Sequence, residues 1–203
     1  MTIKPNEPWG TEVDRPAGLV VVSGDAALAD HLAADDGVPV GVSAGDLFRT
    51  LGARPITDRA QLRRLSLDVM YVSVDGGAPV TAVAHVVIRS PWWRGGWWQG
   101  PVTLVMNAEF IGDWDVAPRG HPNDGRVERF DLDATTSVRQ RWAIGQRLAS
   151  ASHLPHPSID RRTARRHTVE RASAADVWVD GRHAGRARRV DIDVVADGAS
   201  IYA

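Results

Sequence analysis

The sequence predicts an α+β protein in which a β-rich, sandwich- or barrel-like body follows a small α/β segment. Three observations carry that reading. From Leu65 to Val74 apolar and polar side chains alternate, the period of a strand with one buried face. Further strand-like runs continue to the C-terminus, whereas the stretch before Asp58 reads strand, helix, strand, helix. Hydrophobic residues make up 43% of the 203, enough to bury a core and too many for a disordered polymer.

Residues 1–17 hold three prolines among mixed charges and predict a poorly ordered lead-in. Leu19–Ser23 is apolar and β-branched, a buried strand stopped by Gly24-Asp25. Ala26–Ala34 follows as a short helix with Asp25 as its N-cap. Val38–Val42 is a second strand and Ala44–Leu51 a second helix closed by Gly52, so residues 18–58 form the α/β segment. Two strands are too few for a stable sheet alone.

Residues 59–203 form the β-rich domain. Leu65, Leu67, Val69 and Tyr71 share one face, with Ser66, Asp68 and Met70 between them. Asp75-Gly76-Gly77 turns the chain, and Val80–Ile88 returns as the second strand of a hairpin. Val102–Ala108, Arg126–Leu132, Arg165–Arg171, Ala175–Val179 and Arg188–Val195 are further strands. Val138–Ala149 is predicted helical, with Val138, Trp142, Ile144 and Leu148 on one stripe.

Composition excludes several chemistries. Without cysteine there are no disulfides, thiolate nucleophiles or cysteine zinc sites. Lys4 is the only lysine, so a Schiff-base or P-loop lysine has one terminal candidate. The net charge of -1 gives no global attraction to nucleic acid, and none is expected as a partner. Gly18–Val22 and Val83–Ile88, the longest apolar runs, are too short to cross a bilayer. The N-terminus lacks the pattern of a secretory signal, and a cytoplasmic location is the expectation.

Four motif regions could carry chemistry. Trp92, Trp93, Trp97 and Trp98 surround a Gly95-Gly96 turn. They read either as the packing of a hairpin tip or as the lining of an amphiphile cleft at a membrane–water boundary, with Arg94 placed to stack on a ring. Arg161, Arg162, Arg165 and Arg166, with His167, are the densest basic cluster, either an anion site or a charged guard on a strand edge. Asp113, Asp115 and Asp124 are candidate oxygen ligands for a hard cation, Asp124 equally an Asx turn. His153 and His156 lack zinc-ligand spacing and read as a loop.

Four segments, in order, resemble the bacterial diacylglycerol and lipid kinases. Val20–Leu28 (VVVSGDAAL) is similar to that family's strand and Gly-Gly-Asp-Gly-Thr loop, and Val38–Gly52 (VPVGVSAGDLFRTLG) to its next strand, Gly-Thr-Gly-Asn loop and helix. Ala117–Arg126 (APRGHPNDGR) resembles the Asp-Gly segment of the second domain, and Val177–Arg182 (VWVDGR) the late Asp-Gly-Glu hairpin. The resemblance implies a β-rich lipid-kinase second domain after a remnant of the nucleotide domain, with the opening β-α-β segment missing.

It also marks departures. The phosphate loops would be Gly24, Asp25, Gly45 and Asp46, but Ala26, Ala27 and Ala44 stand where bare backbone or a hydroxyl is wanted. Asp124 matches an aspartate that the family associates with a structural Mg²⁺. Arg182 occupies the place of the glutamate taken as general base, and a guanidinium accepts no proton; Glu128 or Asp176 would have to substitute. The implied protein is a diverged relative without an intact phosphotransfer site, binding an anionic amphiphile or a protein partner, with peripheral membrane contact and a homodimer as further expectations. One alternative is an atypical ATP-dependent lipid or small-molecule kinase, which alone would need Mg²⁺ and ATP. The other is a structural or regulatory partner of a full-length kinase.

Overall fold

The computed structural model describes residues 9–57 and 59–203. Residues 1–8, with the first half of the expected lead-in and Lys4, and Asp58 lie outside the described residues. The chain opens with β1 (Thr11–Asp14), β2 (Val20–Val22), α1 (Asp25–Ala34), β3 (Val40–Val42) and α2 (Asp46–Thr50). The long β4 (Gln61–Val74) follows, then β5 (Val80–Ala82), β6 (His85–Arg89) and β7 (Val102–Met106). A small hairpin, β8 (Phe110–Ile111) and β9 (Trp114–Asp115), precedes β10 (Val127–Leu132) and α3 (Val138–Leu148). The last elements are β11 (Ile159–Ala164), β12 (Arg166–Val179) and β13 (Arg182–Tyr202).

One antiparallel path runs β1-β4-β13-β12-β6-β7-β10-β11. The α/β segment is stitched onto it, because β2 and β3 pair in parallel and Gly41 of β3 pairs with Tyr202 at the end of β13. The large sheet thus supplies the neighbours that two short parallel strands need. Leu28, Val42 and Leu47 of the α/β segment pack with Leu65, Leu67 and Ile201 in one core cluster. No described helix is long and apolar enough to cross a membrane.

Several expectations are corrected. Thr11–Asp14, expected in the poorly ordered lead-in, pair with Gln61–Arg64; Pro16 follows this edge strand without interrupting its hydrogen bonds. β4 is buried on both faces at its centre, where Asp68, Val69 and Met70 are all buried while Tyr71 is exposed. One face meets the α/β segment through Leu65 and Leu67 and the other meets the sandwich core through Met70 and Val72. The Asp68 carboxylate accepts the N–H groups of Gly125 (2.5 Å) and Asp197 (2.9 Å), which makes its burial tolerable.

Val80–Ile88 is two strands rather than one. The amides of Val83 and Ala84 turn out of the ladder toward the Asp180 carboxylate, so β5 stays with β4 while β6 crosses to β7 and β12. The two late segments Arg165–Arg171 and Ala175–Val179 are one bulged strand, β12, and β11 was not anticipated.

α3 buries Arg141, Ile144 and Leu148, not the stripe through Val138 and Trp142, both of which are exposed. Its N-terminus is a capping box in which Ser137 Oγ accepts the Gln140 N–H and the Gln140 side chain accepts the Ser137 N–H. Ser137→Ala is expected to lower stability by about 1 kcal/mol, read as a fall of about 2–4 °C in thermal melting.

Candidate functional site

Where the α/β segment meets the sheet, four titratable side chains converge. Asp25, the first residue of α1, does not cap its own helix, whose N-cap is Gly24. Its carboxylate reaches across to α2 and accepts the N–H groups of Asp46 (2.7 Å) and Leu47 (3.0 Å). Gly45, at φ 110°, leaves room for this: a Cβ there would stand 2.5 Å from Asp25 Oδ1. The backbone cradle at Gly45 is therefore filled by the protein's own anion.

Asp46 accepts the Gly112 N–H at 2.8 Å and places Oδ2 3.4 Å from His85 Nδ1. Asp180 accepts three backbone N–H groups, from Val83 (2.8 Å), Ala84 (2.9 Å) and His85 (2.9 Å). Burial pushes the Asp25 and Asp180 carboxyls up to about 6, against the pull of those amides. Burial likewise holds His85 below the usual histidine range, with Asp46 and Asp25 opposing. Arg182, one residue past the Asp180-Gly181 turn, pairs with Asp30 of α1 at 2.5 Å. The structure thus brings together Gly24, Asp25, Gly45 and Asp46 and adds His85 and Asp180, the latter through amides about 95 residues away in sequence, while Arg182 turns to Asp30 on α1.

Other predicted residues are placed apart. Asp124 forms an Asx turn with the Arg126 N–H (2.9 Å). Asp113 lies in the β8–β9 turn, exposed near Arg49 (3.9 Å), and Asp115 ends β9 close to Glu109 and His153. Among the described residues no group of three histidines or acids could hold a metal, so the expected convergence of these aspartates is not found. Glu128 pairs with Arg161, and Asp176 with Arg186 at 3.3 Å.

Three of the four cluster arginines are partnered: Arg161 with Glu128, Arg162 with Asp160 at 2.6 Å and Arg166 with Asp193. β11 ends the sheet path, and its arginines guard that edge. Arg161 also borders a cavity, described below.

The tryptophan segment is not a hairpin tip with two tryptophans on each strand. Trp92–Arg94 form a 3₁₀ turn, and Gly95 (φ 96°) and Gly96 (φ 53°) reverse the chain. Trp92 and Trp93 stay exposed, while Trp97 packs edge-on against Trp114 with ring centres 5.5 Å apart. The arginines over these rings are Arg186 on Trp93 (4.5 Å) and Arg89 on Trp97 (5.4 Å), rather than Arg94.

Between α3 and the face of β7 and β10 lies an apolar cavity of about 310 Å³. Trp97, Trp98, Leu104, Phe130, Ile144 and Leu148 are on its wall. Arg141 fastens the tryptophan segment to α3 over this space, donating to the carbonyls of Thr136, Trp97, Gly100 and Asp133. A second cavity, about 390 Å³ and bordered by Arg119, His156 and Arg161, shares Ile159 with the first. Sequence reasoning named Trp97 and Trp98, read His153 only as a loop residue and did not single out Arg141; the packing of α3 puts all four on one wall.

No protein-family model matches the sequence, and no characterised protein sequence matches it. Solved structures do. A "putative diacylglycerol kinase from Bacillus anthracis str. Sterne" superposes with TM-score 0.65 at 14% identity, covering 91% of this chain and 77% of that one. A second structure with the same description gives 0.66 at 14% identity and the same coverage. A third, a diacylglycerol kinase of the same strain, gives 0.58 at 13%, covering 91% and 75%. At such identity the likeness is one of architecture, and this chain, as its four ordered motifs implied, has the fold of those diacylglycerol kinases.

Proposed function

We propose that the protein binds an anionic amphiphile, taking the apolar chain between α3 and the sheet, and does not transfer phosphate. The observation that carries this is the cavity under α3, walled almost wholly by apolar side chains. Such a space favours an alkyl chain by about 0.8 kcal/mol per methylene. Arg119 and Arg161, the latter paired with Glu128, border the adjoining cavity, which supports an anionic headgroup there. The exposed rings of Trp92, Trp93 and Trp98 suit contact with a lipid surface.

Three features support the absence of phosphotransfer. The α2 amides that a phosphate would want are bonded to Asp25. The position expected to hold a general base is Arg182, ion-paired to Asp30. The carboxylate beside it, Asp180, already accepts three amides. On this reading residues 18–58 are the remnant of a nucleotide domain, kept for the packing they give β4 and β13.

Calorimetric titration with octyl, decyl and dodecyl phosphate tests the reading. Affinity should rise about fourfold per added methylene, and Mg·ATP should show no binding at millimolar concentration. Affinity that ignores chain length would remove the cavity's role, and micromolar binding of Mg·ATP would restore the kinase alternative.

A further inference from the structure

Outside the cavity under α3, the exposed part of the tryptophan segment carries features that packing leaves unexplained. Trp92 is 76% exposed and Trp93 51%, although each ring offers a large apolar surface that water disfavours. The rings are held rather than loose. Arg94, Gly95 and Gly96 donate their N–H groups to the carbonyls of Pro91 and Trp92, and the two rings meet edge to face with centres 5.9 Å apart.

Beside this turn lies a third cavity of about 270 Å³, bordered by Trp93, Arg94, Ser173, Arg186 and Arg188. β12 breaks register with β13 between Glu170 and Ala175, and the small, exposed Ser173 sits in that bulge.

Charge separates this face from the β11 edge. Arg161, Arg162 and Arg166 are each neutralised by a carboxylate. Arg94 and Arg188 are exposed, and neither side chain has a hydrogen-bond or ion-pair partner among the described residues. Asp75 accepts the backbone N–H groups of Arg188 and Arg189 and leaves the Arg188 side chain unpaired. Arg186 stacks on the Trp93 ring (4.5 Å) and pairs with Asp176 (3.3 Å), whose side chain is 8% exposed.

Unpaired guanidinium groups beside exposed tryptophans match the boundary of an anionic bilayer. Tryptophan settles at the headgroup level there, and arginine grips a phosphate with two parallel N–H bonds. A nucleic acid would want a longer basic track, and the next arginine, Arg189, is already paired with Glu170 and Asp191.

We infer that this face docks on an anionic bilayer, with Trp92 entering the headgroup layer and Arg94 and Arg188 holding a lipid phosphate in the third cavity. Docking here extends the amphiphile reading to the surface the ligand would come from, since Trp98 borders the cavity under α3 and is itself 48% exposed. It does not require that cavity to be filled.

Co-sedimentation with vesicles tests it, using phosphatidylcholine alone and phosphatidylcholine mixed equally with phosphatidylglycerol. The protein should bind the mixed vesicles at least about tenfold more tightly, with a blue shift of tryptophan emission, and added salt should weaken the binding. Arg94→Gln combined with Arg188→Gln should weaken it about thirtyfold, with the melting curve unchanged because neither side chain makes a fold contact. Trp92→Ala should weaken it about tenfold. Titration of the arginine variant with monomeric dodecyl phosphate keeps the docking face and the cavity apart. Lost vesicle binding with unchanged dodecyl phosphate affinity supports a separate docking face, whereas loss of both would assign the arginines to the cavity's own headgroup site and overturn it. Equal binding to both vesicle types, binding to neither, or full binding by the arginine variant overturns the docking face and leaves the cavity to its own titration. A dimer that Trp92→Ala dissociates would give the rings to a second copy and overturn it as well.

Discussion

Asp180→Ala is expected to lower the free energy of unfolding by about 3–4 kcal/mol. The carboxylate holds three consecutive amides, Val83, Ala84 and His85, where the chain leaves β5 and starts β6. Alanine would leave all three without their acceptor in a buried site, at about 1–3 kcal/mol each, less the relief of no longer burying a charge. The neighbouring ion pair sets the scale: Arg182 and Asp30 are both more than half exposed, and Arg182→Ala should change stability by no more than about 0.5 kcal/mol. Urea denaturation of both variants separates an anchor from an ornament, and equal effects would refute the argument.

The same residue predicts a pH dependence. Its folded-state pKa of about 6 lies above the ordinary 3.8, so the folded protein takes up this proton first on acidification. The penalty of holding the charge is felt at pH 7 and relieved between about pH 6 and 4. Asp25 acts in the same sense, with a pKa of about 6. His85, His121, His153 and His167, all held low by burial, act oppositely, because the unfolded chain protonates them first. A total stability curve would blend these trends. The difference between wild type and Asp180→Asn isolates one: it should shift toward wild type by on the order of 1 kcal/mol from pH 7 to pH 5. A flat difference would show that the three amides keep the carboxylate ionised throughout.

The particular residues that sequence reading placed well share a property: their partners are near in sequence. The turn at Asp75-Gly76-Gly77 and the Asx turn of Asp124 are written in neighbouring side chains, whereas the burial of both faces at the centre of β4 depends on distant segments. Asp25 looked like a cap because aspartate before an apolar run usually is one; the helix it caps is α2, about 20 residues on. Asp180 read as half of a hairpin turn, which it is, but its carboxylate serves a break in another strand. The arginines of β11 and β12 look like a bare basic cluster until register pairs Arg166 with Asp193 and sets Arg161 beside Glu128. Of the cavity only two wall residues, Trp97 and Trp98, were legible in the sequence, because an empty volume has no residues of its own. It arises where α3 lies over a sheet face it does not fill.

One glycine makes that incomplete filling testable. Gly145 sits within α3 on the cavity wall, and a Cβ there would meet nothing within 4 Å. No close backbone approach requires glycine, and in a helix interior it costs about 1 kcal/mol relative to a good helix former. Its lack of a side chain instead leaves volume open next to Ile144 and Leu148. Gly145→Leu should therefore raise stability by about 1 kcal/mol or more, from helix propensity and from apolar surface placed in the cavity. It should also weaken dodecyl phosphate binding at least about thirtyfold, since the new side chain competes for the space the alkyl chain would use. A variant that is both more stable and nearly unable to bind would mean that this volume is kept for an occupant. Unchanged affinity in a stabilised variant would place the amphiphile elsewhere, and a loss of stability would mean that the cavity wall is already closed.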